Sequence, residues 1–299
     1  MNHRLICRVI GIILSMEGLC MLAPALVSAL YREHQMTMAF CFSAGICVVL
    51  GLPLFRVKTA EHDKLQARDG LLAVSFSWIV MSVFGAFPYW MSGCFASPVD
   101  ALFESCSGFT TTGATLLAAL ETLPKGLLFW RSLTQWIGGM GVLVLPLALL
   151  PKMGTGSIYL LRAESPGPIK TKLVPKIGQS AKILYSIYLL LTAAEILCLR
   201  IAGMPWYDSI VHAMSTVATG GFSSRTASLG AYESLAVNVI VVVFMLLSSL
   251  NFAMLYFVLV KHTMRLRDNR EIQIYFAILA GAVALITADL MLHSNLGGL

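Results

Sequence analysis

DALFESCSGFTTTGAT, residues Asp100–Thr115, is a short amphipathic run that closes on three threonines and a glycine. Long apolar stretches flank it, Leu71 to Met91 and Leu127 to Leu150. Its two ends therefore lie on the same side of a membrane, and the run reads as a re-entrant loop. Irregular backbone survives at membrane depth only when it is packed in protein or lines a wet cavity, because an unsatisfied carbonyl facing lipid costs several kcal/mol. Consecutive threonines followed by glycine can turn a row of main-chain oxygens toward an axis, where such oxygens replace the water shell of a small cation.

The pattern returns 108 residues later as DSIVHAMSTVATGGFS, Asp208 to Ser223. Without a gap, Asp208 falls on Asp100, Ser215 on Ser107, Thr219 on Thr111 and Gly221 on Gly113. A weak repeat that keeps the order apolar span, loop, apolar span marks a membrane protein built from duplicated units. Two ordinary extracytoplasmic loops would explain neither the shared spacing nor the apolar flanks.

Composition agrees. The chain is 58% hydrophobic and 12% charged, with mean hydropathy +0.80, where soluble domains carry roughly a quarter charged residues. Its net charge of +6 reads as a topology signal and not as nucleic-acid binding. The seven cysteines lie in or beside apolar segments with no CxxC or Cys/His cluster, so they read as small buried residues and neither disulfides nor transition-metal ligands. No Gly-x-Ser-x-Gly or Gly-rich post-strand motif points to an enzyme.

Further spans are expected at Leu5 to Leu30, Met36 to Phe55, Lys182 to about Ala202, Leu235 to Val260 and Ile272 to Leu292, near the roughly 20 residues needed to cross. The first two form a hairpin through the turn YREHQ, with no pore loop of its own. Alternating the spans from an inside N-terminus puts 16 of the 21 Lys and Arg on one face, including six from Lys152 to Lys182 and four from Lys261 to Arg270. By the positive-inside rule that face is cytoplasmic and both loops dip in from outside.

Thr111, Thr112 and Gly113, with Thr219, Gly220 and Gly221, are read as cation-coordinating backbone, and Thr110 and Ala218 as the edge of the same filter. Val99 to Phe109 and Asp208 to Val217 would be half-helices aiming their negative ends at the pore centre, with Asp100 and Asp208 near their N-termini as caps. Glu104 reads as a polar contact behind the filter, since its counterpart in the second copy is His212. Glu17, Glu195 and Asp289 are carboxylates in or near spans, for which functional and structural roles both stand. WRSLTQWIGGMG, Trp130 to Gly141, reads as an outer helix end anchored by interfacial aromatics and Arg131, with glycines for close packing.

SGFTTTGAT, WRSLTQWIGGMG and STVATGGFS resemble the Trk-type potassium uptake proteins, of one superfamily with the Ktr and HKT transporters. The likeness covers essentially all 299 residues. It implies an all-α polytopic membrane protein, with helix–pore-loop–helix repeats of the K+-channel-like type around a central axis. Gly113 and Gly221 then take the filter-glycine role. The chain would divide into an N-terminal hairpin and cytoplasmic link (1–69), a first repeat (70–180), a second (181–271) and the first helix of a third (272–299). Only two of the family's four pore loops fall within these residues, which points to a truncated chain or fragment supplying half a filter. The resemblance also implies K+ as the transported ion, no covalently bound cofactor, a homodimer in the bacterial inner membrane, and a cytosolic nucleotide-binding gating subunit. Rival readings are a secondary cation symporter with broken helices, whose interruptions would lie within spans, and a non-conducting remnant.

Overall fold

The structure is a computed structural model that describes residues 3–57, 67–141, 177–250, 252 and 270–293. The expected span ends after residue 141 and after residue 252, and most of the basic loops around residues 58–66, 151–176 and 261–269, lie outside the described residues. The chain is a multi-pass helical membrane protein, and the residues form two compact units, Met1–Ser249 and Leu250–Leu299. Five described helical segments are long and apolar enough to cross a bilayer: His3–Leu30, His34–Phe55, Arg68–Met91, Ala181–Ile201 and Ile272–Leu292.

In the first unit the leading span is two helices, α1 (His3–Cys20) and α2 (Leu22–Leu30). The break has a local cause. Pro24 has no N–H to give the Cys20 carbonyl, and its ring crowds that oxygen. After the turn at Arg32, α3 (His34–Phe55) runs back along α1. Side chains are pared away where the two meet: a Cβ on Gly18 would stand 2.9 Å from the Ala44 carbonyl oxygen, and one on Gly51 2.9 Å from the Gly11 carbonyl oxygen. Small residues let helix backbones approach in lipid, where dispersion contacts drive packing.

The next span is α4 (Ala67–Gly85) followed by the short α5 (Phe87–Met91), again broken ahead of a proline, Pro88. Next come α6 (Pro98–Phe109), α7 (Lys125–Gly139), α8 (Ile177–Ile201) and α9 (Trp206–Val217). A single 3-10 turn, Ser228–Tyr232, leads to α10 (Leu235–Ser248). The helix α7 touches α2, α3, α6 and α9, and its residues from Leu127 to Ile137 are mostly buried. It is the central element of the unit. The second unit is described through Phe252 and α11 (Arg270–His293), whose apolar side chains are largely exposed.

Candidate ion-coordinating site

The two half-helices α6 and α9 each have 12 residues and keep the 108-residue offset at both ends. Their starts differ: Ser97 caps α6 by accepting from the Val99 N–H at 3.2 Å, whereas α9 begins after Pro205 with no side-chain cap. Asp100 lies in the first turn of α6. Asp208 is turned to other partners, accepting from the Ser224 hydroxyl at 2.7 Å and from Arg225 at 3.4 Å. The capping role expected of the two aspartates thus belongs at α6 to Ser97, and Asp208 instead fastens the segment that follows its own loop.

The C-terminal ends repeat closely. Thr112 N–H donates to the Ser107 carbonyl at 3.0 Å and Gly220 N–H to the Ser215 carbonyl at 2.9 Å, while Thr111 and Thr219 donate to Gly108 and Thr216 at 3.0 and 2.8 Å. This is the Schellman arrangement, whose turning residue is ordinarily glycine. Here it is threonine in both copies, left-handed at φ 55° for Thr111 and 53° for Thr219. A β-branched residue there costs about 1–2 kcal/mol. Two residues on, Gly113 and Gly221 also take positive φ, 75° and 86°. Different side chains therefore follow one backbone path.

The loops meet. A Cβ on Gly113 would collide with the Gly220 carbonyl oxygen, so glycine is required there by contact as well as by φ. Thr112, Thr219 and Gly221 are exposed, and nothing stands within 4 Å of a Cβ placed on Gly221. Thr110 Oγ1 donates to the Cys106 carbonyl at 2.7 Å and lies 2.8 Å from Thr112 Oγ1. Ala218 is buried against α7.

Behind the loops, α7 is the wedge that holds both half-helices. Cβ atoms on its adjacent glycines would run into them, at the Phe109 carbonyl oxygen for Gly138 and at Ala218 Cα, 2.7 Å away, for Gly139. Four residues earlier Gln135 Oε1 accepts from Ser215 Oγ at 2.6 Å and from Phe222 N–H at 3.0 Å. One turn further back, Arg131 and Glu104 form a buried pair at 2.8 Å, with side chains 1% and 0% exposed. The guanidinium also donates to the Ser223 carbonyl at 3.2 Å and to Thr115 Oγ1 at 3.1 Å, and stacks 4.2 Å from the Phe222 ring centre. Glu104 accepts from Thr115 and from the Leu116 N–H. In the second copy His212 Nδ1 faces the Asp208 carbonyl, which only accepts, and Nε2 meets the Ser223 hydroxyl at 3.0 Å. Glu104 is thus a buried polar contact behind the first loop, where the second copy has His212.

A further expectation changes. Trp130 and Arg131 are not interfacial anchors: both are buried, and Trp130 Nε1 donates to the Gly85 carbonyl at 3.1 Å. A helix wedged between two others has no face left for the interface, and only its glycines were read correctly. The sequence also gave no notice of Glu33, whose carboxylate accepts from the first two N–H groups of α7, Lys125 at 2.6 Å and Gly126 at 3.1 Å. That capping contact puts the hairpin turn on the same side as the loops. On this side Glu121 accepts from the Thr226 hydroxyl and N–H at 2.5 and 2.8 Å, joining the two descending segments. Those bonds hold its carboxyl at about 2, well below the usual range. Glu17 and Glu195 are buried in α1 and α8, and Asp289 is exposed on α11.

Residues 35–286 match the family model described as cation transport protein, TrkH. The chain belongs to the TrkH family. Among TrkH relatives, the Trk system potassium uptake protein TrkH of Halomonas elongata is 39% identical over 99% of this chain and 62% of its own length. The Escherichia coli K12 protein of that name is 38% identical over 98% of the chain and 61% of its own. The crystal structure of the potassium transporter TrkH from Vibrio parahaemolyticus superposes with a TM-score of 0.84, at 34% identity, over 100% of this chain and 61% of that one. The chain thus spans about three fifths of the length of these TrkH proteins. They form a family of transporters, not enzymes.

Proposed function

We propose that this chain forms part of a potassium uptake protein in which K+ exchanges its water shell for main-chain oxygens of Thr111, Thr112, Gly113, Thr219, Gly220 and Gly221, with Thr110 and Ala218 at the filter edge. The observation that carries the reading is the duplicated left-handed Thr-x-Gly turn, at Thr111 and Gly113 and at Thr219 and Gly221, brought together by the contact of Gly113 with the Gly220 carbonyl. Natural relatives named for potassium uptake support the choice of ion. α6 and α9 direct their C-terminal dipole ends toward these turns, which favours a cation there.

On this reading residues 70–180 and 181–271 are two filter repeats behind an N-terminal hairpin (1–69), and residues 272–299 open a third. The remaining length of the family supplies the other filter quarters. The protein sits in the bacterial inner membrane with its N-terminus cytoplasmic, pairs as a homodimer, and is gated by a cytosolic nucleotide-binding subunit on its basic face. Ion selection comes from the number and field of the coordinating oxygens, with no covalent step.

Rubidium and sodium flux into liposomes carrying the complete protein tests the site. Gly113→Ser is expected to lower the Rb+ over Na+ ratio at undiminished expression, because any side chain there displaces the Gly220 carbonyl. A wild-type ratio in that variant refutes the assignment.

A further inference from the structure

Gln135 belongs to α7 in the first repeat, yet its amide serves the loop of the second. Its side chain is wholly buried. Phe222 N–H can only donate, so the oxygen is the amide atom that faces it, 3.0 Å away, and the NH2 group is forced to the other side. There Nε2 has no hydrogen-bond partner among the described residues. The glycines show where the amide lies: Cδ, Oε1 and Nε2 are 2.4, 2.5 and 2.7 Å from the position of a Cβ on Gly220, and Nε2 is 3.8 Å from that of a Cβ on Gly113. Gln135 therefore fills the seam in which the two turns meet.

The copies are not equivalent in this respect. Ser107 donates to the Ala114 carbonyl at 2.6 Å, closing the first turn within its own repeat. Its counterpart Ser215 donates instead to Gln135. Moreover, 108 residues after Gln135 stands Val243, apolar and 46% exposed. The second turn is thus secured from the first repeat, and the second repeat offers no amide in return at that offset.

We propose that Gln135 is a positioning residue that fixes the gap between the two turns and thereby their cation preference; this rests on reading those turns as a filter. Its oxygen holds the Ser215 to Phe222 segment, while the bulk of its amide prevents Gly220 from closing on α7. A shorter or apolar side chain lets the Gly220 carbonyl shift against Gly113, and carbonyls at a changed spacing discriminate less between monovalent ions.

The test is the Rb+ over Na+ flux ratio of the complete protein in liposomes, with folding followed by size-exclusion profile and melting temperature. Gln135→Leu removes the acceptor of both bonds and is expected to lower the ratio about tenfold, about threefold for each hydrogen bond lost, with total flux retained. Gln135→Glu keeps an oxygen for Ser215 and Phe222 and should stay within about threefold of wild type. Should Gln135→Leu fail to fold, Ser215→Ala removes one of the two anchoring bonds and is expected to lower the ratio about threefold. A wild-type ratio in folded Gln135→Leu, or in Ser215→Ala, overturns the proposal. So does a fall in Gln135→Glu as deep as in Gln135→Leu. A wild-type protein with no Rb+ over Na+ preference sinks the filter reading itself, and this inference with it.

Discussion

Removing Arg131 and Glu104 together should cost far less than the two single removals added. The pair is buried on both sides, at 1% and 0% exposure, and breaking a buried ion pair by deleting one partner costs about 3–5 kcal/mol, because the other charge is stranded. In Arg131→Met, Glu104 keeps the Thr115 hydroxyl and the Leu116 N–H, which puts the loss near 3 kcal/mol by that scale. In Glu104→Leu, the guanidinium keeps the Ser223 carbonyl and Thr115, but the Leu116 N–H is orphaned as well, so about 5 kcal/mol is expected. With both replaced no charge is buried, and the unmet Leu116 N–H leaves a cost of about 1–3 kcal/mol. The singles thus sum to about 8 kcal/mol against about 3 or less for the double, a coupling larger than neighbouring residues usually show. Denaturant unfolding followed by fluorescence of the adjacent, buried Trp130 measures all four proteins. A double variant whose loss equals the sum of the singles would refute the reasoning, since it would mean that neither residue depends on the other.

Gly138→Ala should destabilise by about 1–3 kcal/mol, at the upper end because the obstacle is the Phe109 carbonyl and not a side chain that can rotate, whereas Gly45→Ala, with nothing within 4 Å of its Cβ, should be neutral or slightly stabilising; equal melting shifts would refute this. The Glu121 carboxyl is held at about 2 by Thr226, so its clasp is complete above the ordinary carboxylate pKa of about 4.3, weakens below it, and is lost as pH falls through about 2. A carboxyl carbon NMR titration of Glu121 with its midpoint near the ordinary value would contradict the clasp. The Gly113→Ser and Gln135→Leu flux ratios complete the set.

Much of the frame can be read from local chemistry. Hydropathy locates the spans because crossing a bilayer demands about 20 apolar residues in a row. The breaks before Pro24 and Pro88 follow from a missing N–H. The half-helices were legible to within a residue or two, as the 108-residue echo of Ser107, Thr111 and Gly113 in Ser215, Thr219 and Gly221 shows. The interior of α7 was not. Trp130 and Arg131 suit an interface by composition, and only the packing of α6 and α9 on either side takes that interface away. A signal was present in Arg131, Thr134 and Gln135, three polar residues at i, i+3 and i+4 on one face of an apolar segment, a stripe that in lipid implies partners in the protein.

By itself, then, the sequence determined the membrane class, the five long apolar spans and the duplicated turn, since each depends on residues close together in the chain or on a fixed offset. The tertiary structure alone decided which groups close on one another across 27 to 92 residues: Arg131 on Glu104, Gln135 on Ser215, Arg131 on Ser223. Burial in a medium without water penalises a polar group that finds no internal partner. It does not say which partner, and that choice is made by the path of α7 between the two half-helices.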